Sequence, residues 1–457
     1  MRTEGRKDGR WSEGREDGRA DGPPSPTFRR SVLPSFRPAR LCAALLVAAT
    51  ACGGEDTGAL RFWAFGREGE VVQELVRDFS REHPGARIRV QQLPWTAAHE
   101  KLLTAIVGRA TPDVALMGNT WIPEMVALGA LAPVEARIAD SSYFPGILAT
   151  NIVNDTLYGL PWYVDTRVLF YRKDILARAG YSAMPDTWAG WREAMVAIKR
   201  AAGPGRYAIF LPTNEWPPQA ILGLQEGSPL ITASGFGAFR QPAFARAFDF
   251  LLSLYRDGLA PPMSSTGIAN LYQEFARGTF AMYITGPWNL GEFRRRLPPE
   301  LQHAWGTAPL PGPTGAASGV SLAGGASLSI FRASRHRALA TELVEFLSRP
   351  EQQARFYRLT GDLPARREAW SDSSLAHDHE AEAFRIQLTR TVPTPMVPEW
   401  EQVTTKIMDR TEAAARGAET PAAALAALDA DVDRLLERRR YLLARRHAGS
   451  AGGSGTP

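Results

Sequence analysis

From Leu60 onward the apolar residues alternate between a helical and a two-residue period, and that alternation limits the chain to layered α/β architecture more tightly than any single motif does. Leu60–Phe65 (LRFWAF) predicts an aromatic-rich strand ended by Gly66. Val71, Val72, Leu75, Val76 and Phe79 make one stripe of a predicted helix over Glu70–His83, which Pro84-Gly85 terminates. Ala86, Ile88 and Val90 then alternate with Arg87 and Arg89, the pattern of a half-buried strand. A further helix is predicted over Lys101–Gly108, a strand over Asp113–Met117 and a helix over Ile122–Leu131 before Pro133.

The length of 457 residues exceeds what one core usually serves and predicts two or three domains of roughly 150 residues. A formal charge of +5 would invite a polyanion if it were spread over the fold, but most of it is N-terminal. Beyond residue 51 there are 43 basic against 42 acidic groups, so nucleic-acid binding loses its support.

After Arg37 and Arg40, the run Leu41–Ala51 (LCAALLVAATA) is apolar over only 11 residues, too short for a helix across a bilayer core of ~30 Å. It reads as the apolar part of an export signal. Ala49-Thr50-Ala51 before Cys52-Gly53-Gly54 resembles the lipobox of bacterial lipoproteins, departing from it at Ala49, where that motif prefers Leu. The resemblance implies a diacylated Cys52 and a lipid anchor; cleavage by the ordinary signal peptidase is the alternative. The only other cysteine, Cys42, falls inside the segment to be removed, so the mature chain is expected to lack a disulfide. Residues 1–31 are Arg, Gly, Glu and Asp rich without periodicity, and translation is expected to start nearer Val32.

The succession of LRFWAF, HPGARIRV, TPDVALMGNTWIPEMVALGALAPVE and YGLPWYVDTRVLFYRKDILARAGYSAMPDTWAGW resembles family 1 extracellular solute-binding proteins, the maltose-binding-protein-like group. FARGTFAMYITGPWNL and the segment from GGASLSIF to LTGDLPAR continue the likeness, which runs from about Leu60 to Leu443. The resemblance implies an α/β, two-lobed periplasmic-binding-protein-like fold of type II, with a ligand cleft between lobes joined by crossing segments near Pro161–Asp165, Trp305–Pro309 and Arg349–Arg355. Residues 58–163 plus 307–350 would form the first lobe and 164–306 plus 351–446 the second, after an N-terminal extension and signal over 1–51 and before a disordered tail over 447–457. It also implies an exported monomer that captures a sugar, a di- or oligosaccharide, and delivers it to ABC permease subunits served by a separate ATPase. The expected partners are thus a sugar and a permease, with a membrane anchor, no nucleic acid, no cofactor and no metal.

A pyranose presents hydroxyls that need oriented donors and acceptors, and C–H faces that lie on flat aromatic rings. Several tryptophans stand beside Gly, Pro or Asn at predicted strand ends, where ligand sites of open α/β sheets gather. The candidates are Trp121 in GNTWIPE, Trp162 in LPWYVD, Trp216 in TNEWPP and Trp288 in GPWN, with burial in a core as the competing role for each. The polar candidates are Asn119, Asp165 and Asn289, then Asn151, Glu215 and Arg366. Asp165, at the expected first crossing, would accept from sugar hydroxyls or else pair with Arg167 or Arg172. Gly325, beside Gly324, would admit a ligand close to the backbone or else mark a bulge.

Other features read as packing. Trp188, Trp191, Met195 and Ile198 follow the N-cap candidate Thr187 at helical spacing, and Pro421–Arg445 reads as one amphipathic helix with a solvated face. His377-Asp378-His379-Glu380 lies in a polar stretch that reads as an exposed loop. No G-x-S-x-G, H-E-x-x-H, G-x-x-x-x-G-K-[ST] or C-x-x-C occurs, so no catalytic role is assigned. A secreted carbohydrate-active enzyme, or the same fold with a non-sugar solute, is the alternative.

Overall fold

The predicted first strand forms as β1, Leu60–Phe65, and five of its six side chains are buried. The computed structural model describes residues 58–135 and 142–451. The export signal over 1–51 and Cys52 lie outside these described residues. The stripe expected over Glu70–His83 belongs to a helix, Gly66–Glu82, that begins directly after β1 and carries Glu68 in its first turn. The next strand, β2, is Ile88–Leu93, and the helix expected from Lys101 starts earlier, at Trp95, and runs to Val107. Both early starts place a side chain above a strand end, Glu68 in one case and Trp95 in the other.

β3 (Val114–Gly118) follows, then a short hairpin of β4 (Ile152–Val153) and β5 (Thr156–Leu157), then β6 (Leu160–Asp165). β7 (Val168–Arg172), β8 (Tyr207–Phe210), β9 (Phe280–Thr285) and β10 (Trp305–Ala308) form a second sheet in the order β10-β7-β9-β8. β11 (Ser321–Ile330), β12 (Leu363–Pro364) and β13 (Thr391–Pro393) return to the first sheet, whose order is β12-β6-β11-β3-β1-β2, with β13 also on β11. β1 runs parallel to β2 and β3, so these three strands end at the same edge of the sheet. In the second sheet β8 and β9 are parallel and likewise end together.

The chain first passes between the sheets at Thr166-Arg167, where β6 gives way to β7. The second passage lies between β10 and β11, because Trp305–Ala308 pairs throughout with β7; a lobe boundary at residue 307 would cut that strand. The third passage expected near Arg349–Arg355 is corrected. Arg349 is the N-cap and the others lie within one helix, Pro350–Thr360, whose Phe356 stacks on Trp162 of β6 at 4.1 Å, so the helix stays with the first sheet. Only later does the helix His379–Leu388 set Phe384 against Phe170 of β7, and the helix Trp400–Ala415 bury Trp400, Val403 and Ile407 in the second lobe's core.

Thr187 caps the helix Trp188–Ala202 by accepting from the Gly190 amide at 3.1 Å, and Trp188, Trp191, Met195 and Ile198 are buried on its inner face as predicted. The His377–Glu380 stretch is not a loop: Asp378 is the N-cap of the helix His379–Leu388, accepts from the amides of Glu380 and Ala381, and pairs with Arg294 at 2.6 Å. The amphipathic segment from Pro421 is two helices, Pro421–Leu435 and Glu437–Ala451, broken at the buried Leu436, and the second runs into the tail expected to be disordered.

Candidate functional site

The carboxyl ends of the strands converge on a cavity of about 630 Å³ lined from both lobes. Beyond β1 stands Glu68, beyond β2 Trp95, beyond β3 Asn119, Thr120 and Trp121, and at the end of β6 Asp165. The second lobe contributes Trp216 beyond β8, Trp288 beyond β9 and Glu401 on the helix Trp400–Ala415. Ligand sites of open α/β sheets occupy this position because the strand-to-helix turns leave side chains and amides free there.

Glu68 is fixed by two donors: Trp95 Nε1–H at 3.1 Å and the Tyr163 hydroxyl at 2.9 Å, both to Oε1. Burial pushes its carboxyl above the usual carboxylate range. Asp362 is pushed up further, first by burial and then by the charge of Glu68. Burial also raises Asp165 and Glu401, against the pull of Arg167 on the first and of the Thr120 hydroxyl on the second. A buried acid held toward its neutral form can donate one hydrogen bond and accept others, which suits hydroxyl partners that do the same.

Aromatic rings make up the rest of the wall. Trp121 stands edge-on to Trp95 at 5.6 Å and packs on Phe65 at 6.0 Å. Trp216 meets Trp400 edge-on at 5.5 Å. Trp288 keeps 38% of its surface exposed, although a tryptophan at a core position would be covered, and its ring lies so close over Gly286 that no side chain could stand there. The Arg167 guanidinium lies 4.6 Å from the centre of the Trp288 ring.

Of the residues singled out from sequence, Asn119, Trp121, Asp165, Trp216, Trp288 and Gly325 line this cavity, and Glu215 lines a second one beside it. Asn119 forms wall, but its amide is used inward: Nδ2 donates to Thr150 Oγ1 at 2.6 Å and Oδ1 accepts from Ser327 Oγ at 2.8 Å. Four candidates are corrected. Trp162 is fully buried against Phe356. Asn151 is fully buried and donates to the Ile147 carbonyl at 3.2 Å, fastening the end of the helix Pro145–Ala149. Asn289 turns into the second lobe, donating to Thr285 Oγ1 at 2.7 Å and accepting from the Tyr272 hydroxyl at 2.9 Å. Arg366 binds Ser142 Oγ at 2.7 Å and lies over the Tyr143 ring, away from the cavity. Sequence reasoning missed Glu68, Trp95, Tyr163, Asp362 and Glu401. Glu68 carries a sequence signal, standing three residues after the end of the predicted strand Leu60–Phe65; Trp95 does not, because β2 runs to Leu93, three residues past the predicted strand end at Val90.

Two α/β lobes around a cleft walled by aromatic rings and carboxylates have the form of a solute-binding protein. Residues 65–354 match the family described as bacterial extracellular solute-binding protein, and the chain belongs to that family. Among solved structures, the sugar-binding protein MalE from the phytopathogen Xanthomonas citri is 47% identical with a TM-score of 0.81, covering 84% of this chain and 99% of its own. The galactooligosaccharide-binding protein of Bacillus subtilis is 25% identical over 409 residues, 84% of this chain and 93% of that one. The diacetylchitobiose binding protein DasA of Streptomyces coelicolor is 25% identical over 383 residues, 79% and 88% of the two chains. The fold is therefore the two-lobed, type II binding-protein fold, and the relatives are binding proteins, not enzymes.

Proposed function

We propose that the protein captures a saccharide of two or more rings outside the cytoplasmic membrane and passes it to the permease of an ABC importer whose ATPase is a separate chain. The observation that carries this reading is the combination, in one cleft between lobes, of stacking faces on Trp95, Trp121, Trp216 and Trp288 with the carboxyls of Glu68, Asp165, Asp362 and Glu401. Rings take the C–H faces of the sugar and carboxyls take its hydroxyls. The names of the relatives, which are sugar- and oligosaccharide-binding, point the same way. In this reading the cleft binds without turnover, and the protein works as a monomer.

A first lobe comprising the described residues of 58–165, most of 321–376 and the β13 strand, with the remaining described segments in the second, fits this mechanism. A ligand touching both lobes makes more contacts in the closed state and shifts the population by that difference. A thermal-shift screen against mono-, di- and oligosaccharides tests the reading, since a ligand at 100 times its Kd adds about 2.7 kcal/mol of stability by mass action. A screen in which no saccharide raises the melting temperature, while a charged solute does, would overturn it. Within the cleft, Trp288→Ala is expected to weaken saccharide binding by about 1–3 kcal/mol in calorimetry while leaving the melting temperature nearly unchanged, because the ring is only partly covered. Equal affinity would remove Trp288 from the site.

Export with a diacylated Cys52 as anchor completes the proposal, supported by the apolar run that ends at that residue. Cys52→Ser is expected to move the protein from the membrane to the soluble fraction, and unchanged sedimentation with membranes would refute the anchor.

A further inference from the structure

The cleft has two chambers, and Arg167 stands in the wall between them. Beside the main cavity lies a second of about 530 Å³, and the two share Arg167, Trp216, Pro217, Trp288 and Glu401 as wall. The lining that is private to the second chamber comes from the second lobe alone: Glu215 in the loop after β8, Tyr283 on β9, and Thr404 and Thr405 on the helix Trp400–Ala415. It has the chemistry of the first chamber in smaller measure. Trp216 and Trp288 present aromatic surface to it, and the Glu215 carboxyl, half-buried and held by the Tyr283 hydroxyl at 3.2 Å, faces it.

Arg167 is held at the junction from three sides. Its Nε and Nη2 each lie 3.2 Å from a different oxygen of Asp165, and its guanidinium covers the Trp288 ring. Its backbone is tied to β11, the amide donating to Ser321 Oγ at 3.1 Å and the carbonyl accepting from that hydroxyl at 2.9 Å. A planar guanidinium paired with a carboxylate through two nitrogens and stacked on an indole has little freedom to swing aside. It therefore narrows the passage that a linear saccharide would take from one chamber to the next.

We propose that Arg167 sets the length of saccharide the cleft accepts: it bars the way into a second saccharide-binding chamber built on Glu215, Tyr283 and the helix Trp400–Ala415, and so confines the ligand to the main chamber. The inference rests on the saccharide reading above. It is tested by calorimetric titration of the full chain with linear oligomers of glucose, galactose and N-acetylglucosamine of increasing length. For the wild type, affinity should stop rising at the oligomer that fills the main chamber. In Arg167→Ala it should continue to rise, the next longer oligomers binding at least about tenfold tighter relative to the shortest ligand than they do in the wild type. Thr405→Trp, which fills the second chamber, should leave the wild-type profile unchanged and abolish the gain when combined with Arg167→Ala.

An identical plateau in Arg167→Ala and wild type overturns the proposal. So does a wild type whose affinity climbs through the longer oligomers and loses that climb in Thr405→Trp, since the second chamber would then already be open. That arm needs no change at Arg167, so it can refute the proposal even if Arg167→Ala does not fold; Arg167→Lys, which keeps the charge and shortens the barrier, then takes the place of Arg167→Ala in the first arm. Failure of every oligomer series to bind the wild type would instead take down the saccharide reading itself.

Discussion

Trp162→Ala is expected to lower the free energy of unfolding by about 3–5 kcal/mol, the cost of emptying a buried aromatic site that cannot collapse around the gap. The side chain is fully buried and lies on Phe356 at 4.1 Å with its plane inclined by 29°. Tyr163 and Phe356 are themselves stacked at 6.1 Å, so the helix Pro350–Thr360 is joined to β6 through three rings in mutual contact. Removing the central one unseats that helix and the loop after it, which carries Asp362. Among the described residues the indole Nε1–H has no hydrogen-bond partner, so the loss is one of packing and apolar burial. Urea denaturation of variant and parent measures the difference. Unchanged stability together with lost saccharide binding would return Trp162 to the binding site, where its sequence context had put it.

That error was legible in the strand itself. Successive side chains of a strand point to opposite faces, so Trp162 and Asp165, three residues apart in LPWYVD, cannot both face the cleft. Tyr163 and Asp165 share one face and line the cavity; Trp162 and Val164 share the other and are buried. Applying the two-residue period would have exchanged Trp162 for Tyr163. A similar rotation separates Trp288 from Asn289, neighbours about 100° apart on the helix Trp288–Arg296, one at the cleft and the other bonded inward to Thr285. The strands of the first lobe were readable because β1, β2 and β3 each have a clear apolar signature, but their helices begin earlier than the stripe alone indicates. Glu68 and Trp95 occupy first turns, before the apolar period is established, and so fell outside the predicted elements. Asp362 and Glu401 had no local signal, since their approach to Glu68 and Thr120 depends on passages of chain between the sheets that periodicity does not encode.

Gly325→Ala should be the most damaging single-methyl change in the described fold. Gly325 sits in β11 at φ +136°, and a Cβ built there would lie 2.2 Å from the Tyr163 carbonyl oxygen, 3.0 Å from Val164 Cα and 3.1 Å from the Asp165 amide nitrogen. All three are backbone atoms of β6, which pairs with β11 at this point, Gly325 opposite Val164. No rotamer can relieve such a contact. The strands would have to separate where the register already shifts between Ala326 and Ser327. Backbone strain alone costs about 1–3 kcal/mol at such a φ, and the collision adds to it, for an expected loss of at least about 3 kcal/mol. Gly85→Ala is the control, because Gly85 has φ +95° but nothing within 4 Å of a Cβ, so it isolates the torsional part. Because β6 also carries Tyr163 and Asp165 into the cavity and Gly325 forms part of its wall, saccharide affinity should fall with stability in Gly325→Ala and remain at the wild-type level in Gly85→Ala. Equal losses of stability in the two variants would mean that torsion accounts for the whole effect and that β6 and β11 part easily. A tight approach of the two strands would then not be what fixes the cleft wall.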